Sequence, residues 1–125
     1  MKDQQTDQVR ISVHNRCVGL KTDSETTSLD DFLLECAGHR KAENTLIKID
    51  VEGAELDVIA GASLWLNPTN YFLIEVHWDA SFLDKLKTTF GERGLKLGQV
   101  DQRALPILGY ENRDRAQWWL VSEIP

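Results

Sequence analysis

Residues 45–62 read TLIKIDVEGAELDVIAGA, and this stretch decides the fold. Residues 46–51 are apolar at nearly every position, which predicts a strand that is buried on both faces. From Val58 onward the apolar residues recur at the spacing of one helix face, so we expect a helix of about a dozen residues. Gly53 suits the tight turn between the two elements. Open α/β sheets bind their ligands at such a turn, just beyond the carboxyl end of a strand.

The rest of the chain completes one α/β domain over residues 1–125. We expect residues 1–8 to be a disordered tail. Residues 9–45 should supply an N-terminal strand and a helix. The remaining residues, 46–122, predict a βαβαββ core. Its strands are expected at residues 46–51, 71–77, 95–100 and 117–122.

Local signals refine this order. The alternating residues 9–13 indicate a half-buried strand, and a second short strand is expected near residues 17–20. Ser28 is a good cap for the helix that follows it. A helix joins the first two core strands and makes them parallel, whereas a loop makes the last two antiparallel. The physical argument therefore predicts an open, mostly parallel sheet.

Composition excludes several classes of function. Hydrophobic residues make up 42% of the chain, which is typical of a soluble globular protein. The net charge of −6 argues against nucleic-acid binding, which needs a basic face. We expect no membrane span and no secretory signal, because every apolar run is far shorter than about 20 residues. Cys17 and Cys36 lack zinc-site spacing and predict reduced thiols in a cytoplasmic protein.

Acidic residues and a histidine lie at the ends of the first two core strands. Asp50 and Glu52 follow the first strand, whereas Glu75 and His77 end the second. Carboxylates beside a histidine can act as a general base or bind a hard metal ion. Structural roles are the alternative, since Asp50 and Glu52 suit helix caps and His77 suits a strand end. Glu55 fits an ordinary carboxylate of the first helical turn.

Two further expectations concern the same strands. Lys48 is unusual within an apolar strand, and we expect it to pair with Glu75 on the neighbouring strand. Trp118 and Trp119 should point to opposite faces of the last strand, with one of them in the core. A metal site would need three or four converging ligands, which the sequence does not establish, so we assign no metal ligands.

Three segments resemble one protein family. Residues 47–55, IKIDVEGAE, resemble the signature of the FkbM family of S-adenosylmethionine-dependent methyltransferases. Residues 27–32, TSLDDF, and 73–77, LIEVH, resemble the family segments before and after it, in the same order and spacing. The resemblance covers residues 25–122. It implies the second half of a Rossmann-like class I methyltransferase fold, with one antiparallel strand at its C-terminus.

The resemblance also implies an activity and a pocket. The activity is transfer of a methyl group from S-adenosylmethionine to a hydroxyl, whose oxygen must lose a proton as it attacks the methyl group. The family positions place Asp50, Glu75 and His77 as catalytic residues. They place Asp50, Glu52 and Glu55 as substrate-binding residues. In this interpretation Glu75 and His77 are the candidate base and its orienting group.

The cofactor-binding half of that fold is not recognisable in this sequence. None of the eight glycines forms the Gly-x-Gly turn that binds the cofactor in a complete enzyme of this class. We therefore leave the cofactor-binding residues unassigned and expect the isolated chain to be inactive or incomplete. The edge of strand 46–51 would be exposed, so either residues 9–13 cover it or a partner chain does. We predict a homodimer.

Two alternative functions remain open. The chain could be a non-catalytic, truncated relative that acts as a dimeric binding module. The strand-end carboxylates could instead form a metal-dependent hydrolytic site.

Overall fold

The computed structural model describes residues 11–36, 41–77, 80–100 and 118–123. The elements alternate between strands and helices, as expected for an α/β fold. In chain order they are β1 (Cys17–Val18), β2 (Thr26–Thr27), α1 (Leu29–Cys36), β3 (Leu46–Ile49), α2 (Glu55–Ala60), β4 (Tyr71–Val76), α3 (Ala80–Glu92), β5 (Leu97–Gln99) and β6 (Trp118–Ser122).

Four of these strands form the central sheet, in the order β3-β4-β6-β5. β3 and β4 are parallel, which confirms the βαβ unit. β6 lies between β4 and β5 and is antiparallel to both. The predicted reversal of the last strand is therefore confirmed. By pairing, however, the sheet is mixed rather than mostly parallel, because β6 separates β5 from the other strands of the same direction.

The core lies on one face of this sheet. Phe72, Ile74 and Val76 alternate along β4 and are fully buried. They share one apolar cluster with α2 and with α3. The rings of Phe72 and Phe90 meet edge to face, with centroids 4.9 Å apart, which joins β4 to α3. The predicted buried stripe of α3 is confirmed by Leu83, Leu86 and Phe90, with Phe82 partly buried beside them.

β3 differs from its prediction. It is an edge strand that pairs only with β4 among the described residues, and it ends at Ile49. Ile49 is buried, but Lys48 is exposed and Leu46 is 69% exposed. The expectation of burial on both faces is therefore wrong. The apolar run is continuous, yet alternate side chains point to opposite faces and only one face meets the core.

The N-terminal strand prediction is also wrong over its described part. Residues 11–13 form no strand, and Ile11 and Val13 are 85% and 90% exposed. Val9 lies outside the described residues. An alternating pattern needs a sheet edge to pair with, and the nearby β1 instead pairs in parallel with β2. Residues 11–13 therefore do not cover the edge of β3.

α2 is shorter than expected. It spans six residues and ends at Gly61, whereas the apolar periodicity continues to Leu66. Gly61 packs closely on another segment, since a Cβ there would lie 2.3 Å from the carbonyl oxygen of Gly19. Ala62 and Leu66 are buried, but they lie outside any helix. The burial of these non-helical residues therefore has the same spacing as one face of a helix.

Ser28 is confirmed as the cap of α1, because its Oγ accepts a hydrogen bond of 3.1 Å from the Asp31 amide. Among the described residues, every helix is too short or too polar to cross a bilayer. Several predictions lie outside the described residues: the tail at residues 1–8 and the side chains of Cys36 and Trp118. Trp119 is partly buried.

Candidate functional site

The carboxyl ends of β3 and β4 lie side by side. Their register places Ile49 opposite Ile74, so Asp50 leaves β3 beside the position of Glu75. His77 follows the last residue of β4. Glu55 is the first residue of α2 and reaches the same place from the turn after β3. The parallel βαβ unit thus brings these four side chains together. We call them the strand-end cluster.

His77 is held by Glu55. Its Nδ1 lies 2.8 Å from Glu55 Oε1, which also accepts a hydrogen bond of 3.0 Å from the Gly53 amide. An ionised carboxylate can only accept, so Nδ1 is the donor in this contact, and in the neutral form of the ring Nε2 is then the acceptor. Glu55 is fully buried, and among the described residues its second oxygen, Oε2, has no hydrogen-bond partner. Burying a carboxylate without satisfying both oxygens is costly, and such groups are typical of functional sites.

The other ring nitrogen of His77 faces the remaining carboxylates. Nε2 lies 3.9 Å from Asp50 Oδ1 and 3.8 Å from Glu75 Oε1. The cluster runs from surface to interior, with side-chain exposures of 37% for Asp50, 16% for His77, 6% for Glu75 and 0% for Glu55. Solvent therefore reaches the cluster from the side of Asp50.

Lys48 forms its ion pair with Asp50, two residues further along the chain, rather than with the predicted Glu75. Its Nζ lies 3.1 Å from Asp50 Oδ2 and 5.8 Å from the centroid of the Trp119 ring. Side chains two residues apart on a strand share a face, which explains the contact with Asp50. The lysine thus contacts one oxygen of Asp50 and leaves the other facing His77.

The turn after β3 has strained backbone angles. Glu52 has φ +48° and Gly53 has φ +110°, both in the left-handed region. Residue Ala54 occupies the N-cap of α2, with no side-chain hydrogen bond. The alternative in which Asp50 and Glu52 cap this helix is therefore wrong. Glu52 is exposed on the turn.

Three members of the cluster could ligate one ion. Asp50, Glu75 and His77 each offer a ligand atom, and these atoms lie within 4.8 Å of one another. Among the acidic, histidine and cysteine side chains of the described residues, these three are the potential metal ligands that lie together.

Comparison with known protein families identifies a domain that includes these residues. The model of the methyltransferase FkbM domain matches residues 18–103. The chain belongs to this family. The match spans β3, α2 and β4, and with them the whole strand-end cluster of this FkbM domain. Neither the curated proteins nor the solved structures contain a match to the chain.

The sequence prediction placed five residues in the FkbM pocket, and the structure brings four of them together: Asp50, Glu55, Glu75 and His77. What the sequence did not predict is the contact between Glu55 and His77. A signal was present, because Glu55 opens a helix at the carboxyl end of one strand and His77 ends the next. The burial of Glu55 could not be read from this spacing, since first-turn carboxylates are usually solvated.

Proposed function

We propose that this chain forms the acceptor side of an S-adenosylmethionine-dependent methyltransferase that modifies a hydroxyl group. The observation that carries this proposal is the ring of His77, which Glu55 contacts at Nδ1 while Nε2 faces a partly open cluster. Membership of the FkbM family supports the reaction class.

The sheet supports a finer statement about the fold. We propose that β3, β4, β5 and β6 are the second half of a Rossmann-like class I methyltransferase domain. In support, β3 and β4 are parallel with a helix between them, and the C-terminal β6 is the reversed strand. In open sheets of this kind the ligand site lies beyond the carboxyl ends of the strands, where the strand-end cluster is found.

The residues suggest how the acceptor would lose its proton. His77 Nε2 is proposed to accept the proton of the substrate hydroxyl as a general base. Glu55 would hold the ring and stabilise its protonated form, as a buried carboxylate does for a catalytic histidine. Asp50 and Glu75 would position the hydroxyl, and Glu52 lies on the exposed turn where substrate enters. This assigns the orienting role to Glu55.

The described residues do not fit the cofactor by themselves. S-adenosylmethionine, when bound, supplies the electrophilic methyl group. The turn after β3 is filled by the chain's own carboxylate, since the Gly53 amide donates to Glu55. The sequence also lacks a Gly-x-Gly turn. We therefore propose that a cofactor-binding half, on another segment or another chain, completes the enzyme.

A chimera tests this proposal. The cofactor-binding half of another FkbM methyltransferase would be joined to this chain, and its S-adenosylmethionine affinity and methylation rate on that enzyme's own acceptor would be measured. We expect His77→Gln to lower the rate at least about 100-fold while leaving the cofactor affinity unchanged. Asn15→Gln, at an exposed position, is the control. A chimera that binds the cofactor and is insensitive to His77→Gln would contradict the role of this cluster.

A second candidate function is a non-catalytic dimeric module, and the edge of β3 favours it. β3 pairs only with β4 among the described residues, and Leu46 is 69% exposed there. An edge with unpaired backbone groups and an exposed apolar residue is suited to pairing with a second chain. We propose a homodimer through this edge.

Light scattering on the eluting protein would test the dimer. Leu46→Glu should convert the dimer to a monomer, because it places a charge at the shared edge. Leu34→Glu is the matched control, since Leu34 is 68% exposed but lies on α1. A monomeric wild-type chain, or equal effects of both substitutions, would contradict an interface at β3.

A further inference from the structure

We propose that Asp50, Glu75 and His77 bind a divalent first-row transition-metal ion. Nε2 of His77 lies 3.9 Å from Asp50 Oδ1 and 3.8 Å from Glu75 Oε1. These separations are too long for hydrogen bonds. They are close to the spacing of about 3.0–3.5 Å between ligands of one ion whose bonds are about 2.0–2.2 Å long. Small side-chain rotations would bring all three atoms onto one centre.

The contact between Glu55 and His77 prepares the ring for a metal. Metal-binding histidines usually donate their second ring N–H to a carboxylate, which fixes the tautomer and the ring orientation. Here Nδ1 lies 2.8 Å from Glu55 Oε1, and Nε2 is the ring atom that faces the two other carboxylates. Glu55 is therefore a positioning residue in this site.

The unsatisfied oxygen of Glu55 is a second, independent indication. Oε2 is buried and has no hydrogen-bond partner in the part of the chain that the structure describes, while Oε1 of the same carboxylate contacts His77. A buried negative charge is stabilised by a nearby cation. The proton shared with His77 offsets only one of its oxygens. A divalent ion at His77 Nε2 would add positive charge to the cluster that contains this buried carboxylate.

The ligand set selects the type of ion. Mg²⁺ and Ca²⁺ prefer shells made only of oxygen, whereas an imidazole nitrogen with carboxylates suits ions such as Zn²⁺ and Mn²⁺. Three protein ligands leave a coordination position open, as in catalytic sites. Lys48 does not block the site, because it contacts Asp50 Oδ2 and the ion would use Oδ1.

This inference concerns the same cluster as the proposed function but does not depend on methyl transfer. With an ion bound, His77 Nε2 is a ligand rather than a base. The charge of the ion would favour ionisation of a substrate hydroxyl in the open position, and the proton would pass to solvent, which reaches the cluster from the side of Asp50. The site would equally serve hydrolysis by a metal-activated water. The test below contains no methyl donor, so either idea can fail alone.

Calorimetric titration of the chelator-treated chain with ZnCl₂ tests the site. We expect one ion per chain, with affinity falling at least about ten-fold in Asp50→Asn and in His77→Gln. Asp57→Asn, which removes an exposed carboxylate from the first turn of α2, should leave the affinity unchanged within about two-fold. His14→Gln controls for binding at another histidine. No binding below millimolar Zn²⁺, or equal affinity in Asp50→Asn and wild type, would overturn the proposal.

A measurement on the unaltered chain guards against variants that fail to fold. Mn²⁺ is paramagnetic and broadens the NMR signals of nearby amides. At substoichiometric Mn²⁺ we expect the amides of residues 50–55 and 75–77 to broaden first, and those of Thr88 and Thr89 in α3 to stay sharp. Uniform broadening, or broadening centred elsewhere, would overturn the site.

Discussion

Two buried polar side chains lie at opposite ends of the same pair of strands, and they differ in how they are satisfied. Asn70 precedes β4 and is 2% exposed. Its amide donates to the carbonyls of Ala42 and Trp65, at 2.7 and 2.8 Å, and its oxygen accepts from the Thr45 amide at 2.9 Å. Glu55, beyond the other end of β3, is 0% exposed and has one oxygen to which no described residue donates a hydrogen bond.

This difference separates a structural role from a functional one. Asn70 bonds three backbone groups, which stabilises the return of the chain into β4. The carbonyls of Ala42 and Trp65 also accept from Asn67, whereas the Thr45 amide is bonded by Asn70.

Glu55 instead contacts His77, whose other ring nitrogen faces the partly exposed carboxylate of Asp50. Incomplete satisfaction of a buried charge costs stability, and a fold retains such a group where it serves a site.

The largest expected effect on the free energy of unfolding is at Asn70, the buried side chain with hydrogen-bond partners for its amide and its oxygen. Asn70→Ala should lower the free energy of unfolding by about 2–4 kcal/mol, because it removes three hydrogen bonds and leaves the half-buried Thr45 amide without this partner. Urea denaturation measures the change. Asn15→Ala, at an exposed position, should change stability by less than about 0.5 kcal/mol. A cost below about 1 kcal/mol at Asn70 would mean that its bonds are replaceable, and the contrast with Glu55 would weaken.

A second substitution tests how tightly the chain is packed between α2 and β4. Gly61→Ala should cost about 1–3 kcal/mol, since the new Cβ would lie 2.3 Å from the Gly19 carbonyl oxygen. Gly91→Ala is the matched control on α3, where a Cβ meets nothing within 4 Å. It should raise stability by about 0.5–1 kcal/mol through better helix propensity. Thermal unfolding of the two variants should therefore shift in opposite directions.

The sequence predicted most of the fold because its strong signals were local. The period-2 and period-3.6 patterns located β4 and α3, and Ser28 marked the start of α1. The errors arose where pairing decides the outcome. Residues 11–13 alternate correctly but pair with nothing in the described chain, and β3, apolar except for Lys48, pairs only with β4 among the described residues. A pattern states which faces could be buried, and the strand order decides which of them are.

The site was predictable in position but not in its contacts. The parallel βαβ unit required Asp50, Glu75 and His77 to meet at one edge, and the structure places them there. The contact of Glu55 with His77 depends on how the turn at Glu52 and Gly53 aims the start of α2. Two left-handed residues in succession set that direction, and no spacing rule specifies it.

A smaller effect is expected at the unsatisfied end. Glu55→Gln should change the free energy of unfolding by less than about 1 kcal/mol, because the amide oxygen can still accept from Gly53 while the buried charge is removed. Glu52→Gln, an exposed carboxylate on the same turn, is the control for removal of charge alone. Urea denaturation again gives the comparison. A loss of 3 kcal/mol or more, as a rough threshold for a buried structural group, would place Glu55 with Asn70.

The smallest effect sharpens the comparison with a third case, a polar group that is satisfied but exposed. The amides of Glu25 and Thr26 both donate to Asp23 Oδ1 at 2.9 Å, and these bonds hold the pKa of Asp23 below its ordinary value. A carboxyl whose pKa is lower in the folded state contributes stability above its unfolded pKa, and that contribution is lost as pH falls through the folded pKa.

The melting temperature of wild type should therefore exceed that of Asp23→Asn slightly at pH 6, and this gap should close below about pH 4. Asp84→Asn, on the exposed face of α3, is the control whose gap should stay near zero. A gap at Asp23 that is equal at pH 6 and at pH 2.5 would mean that the two amides do not favour the charged form, and that local backbone bonds satisfy an exposed carboxylate without stabilising its ionisation.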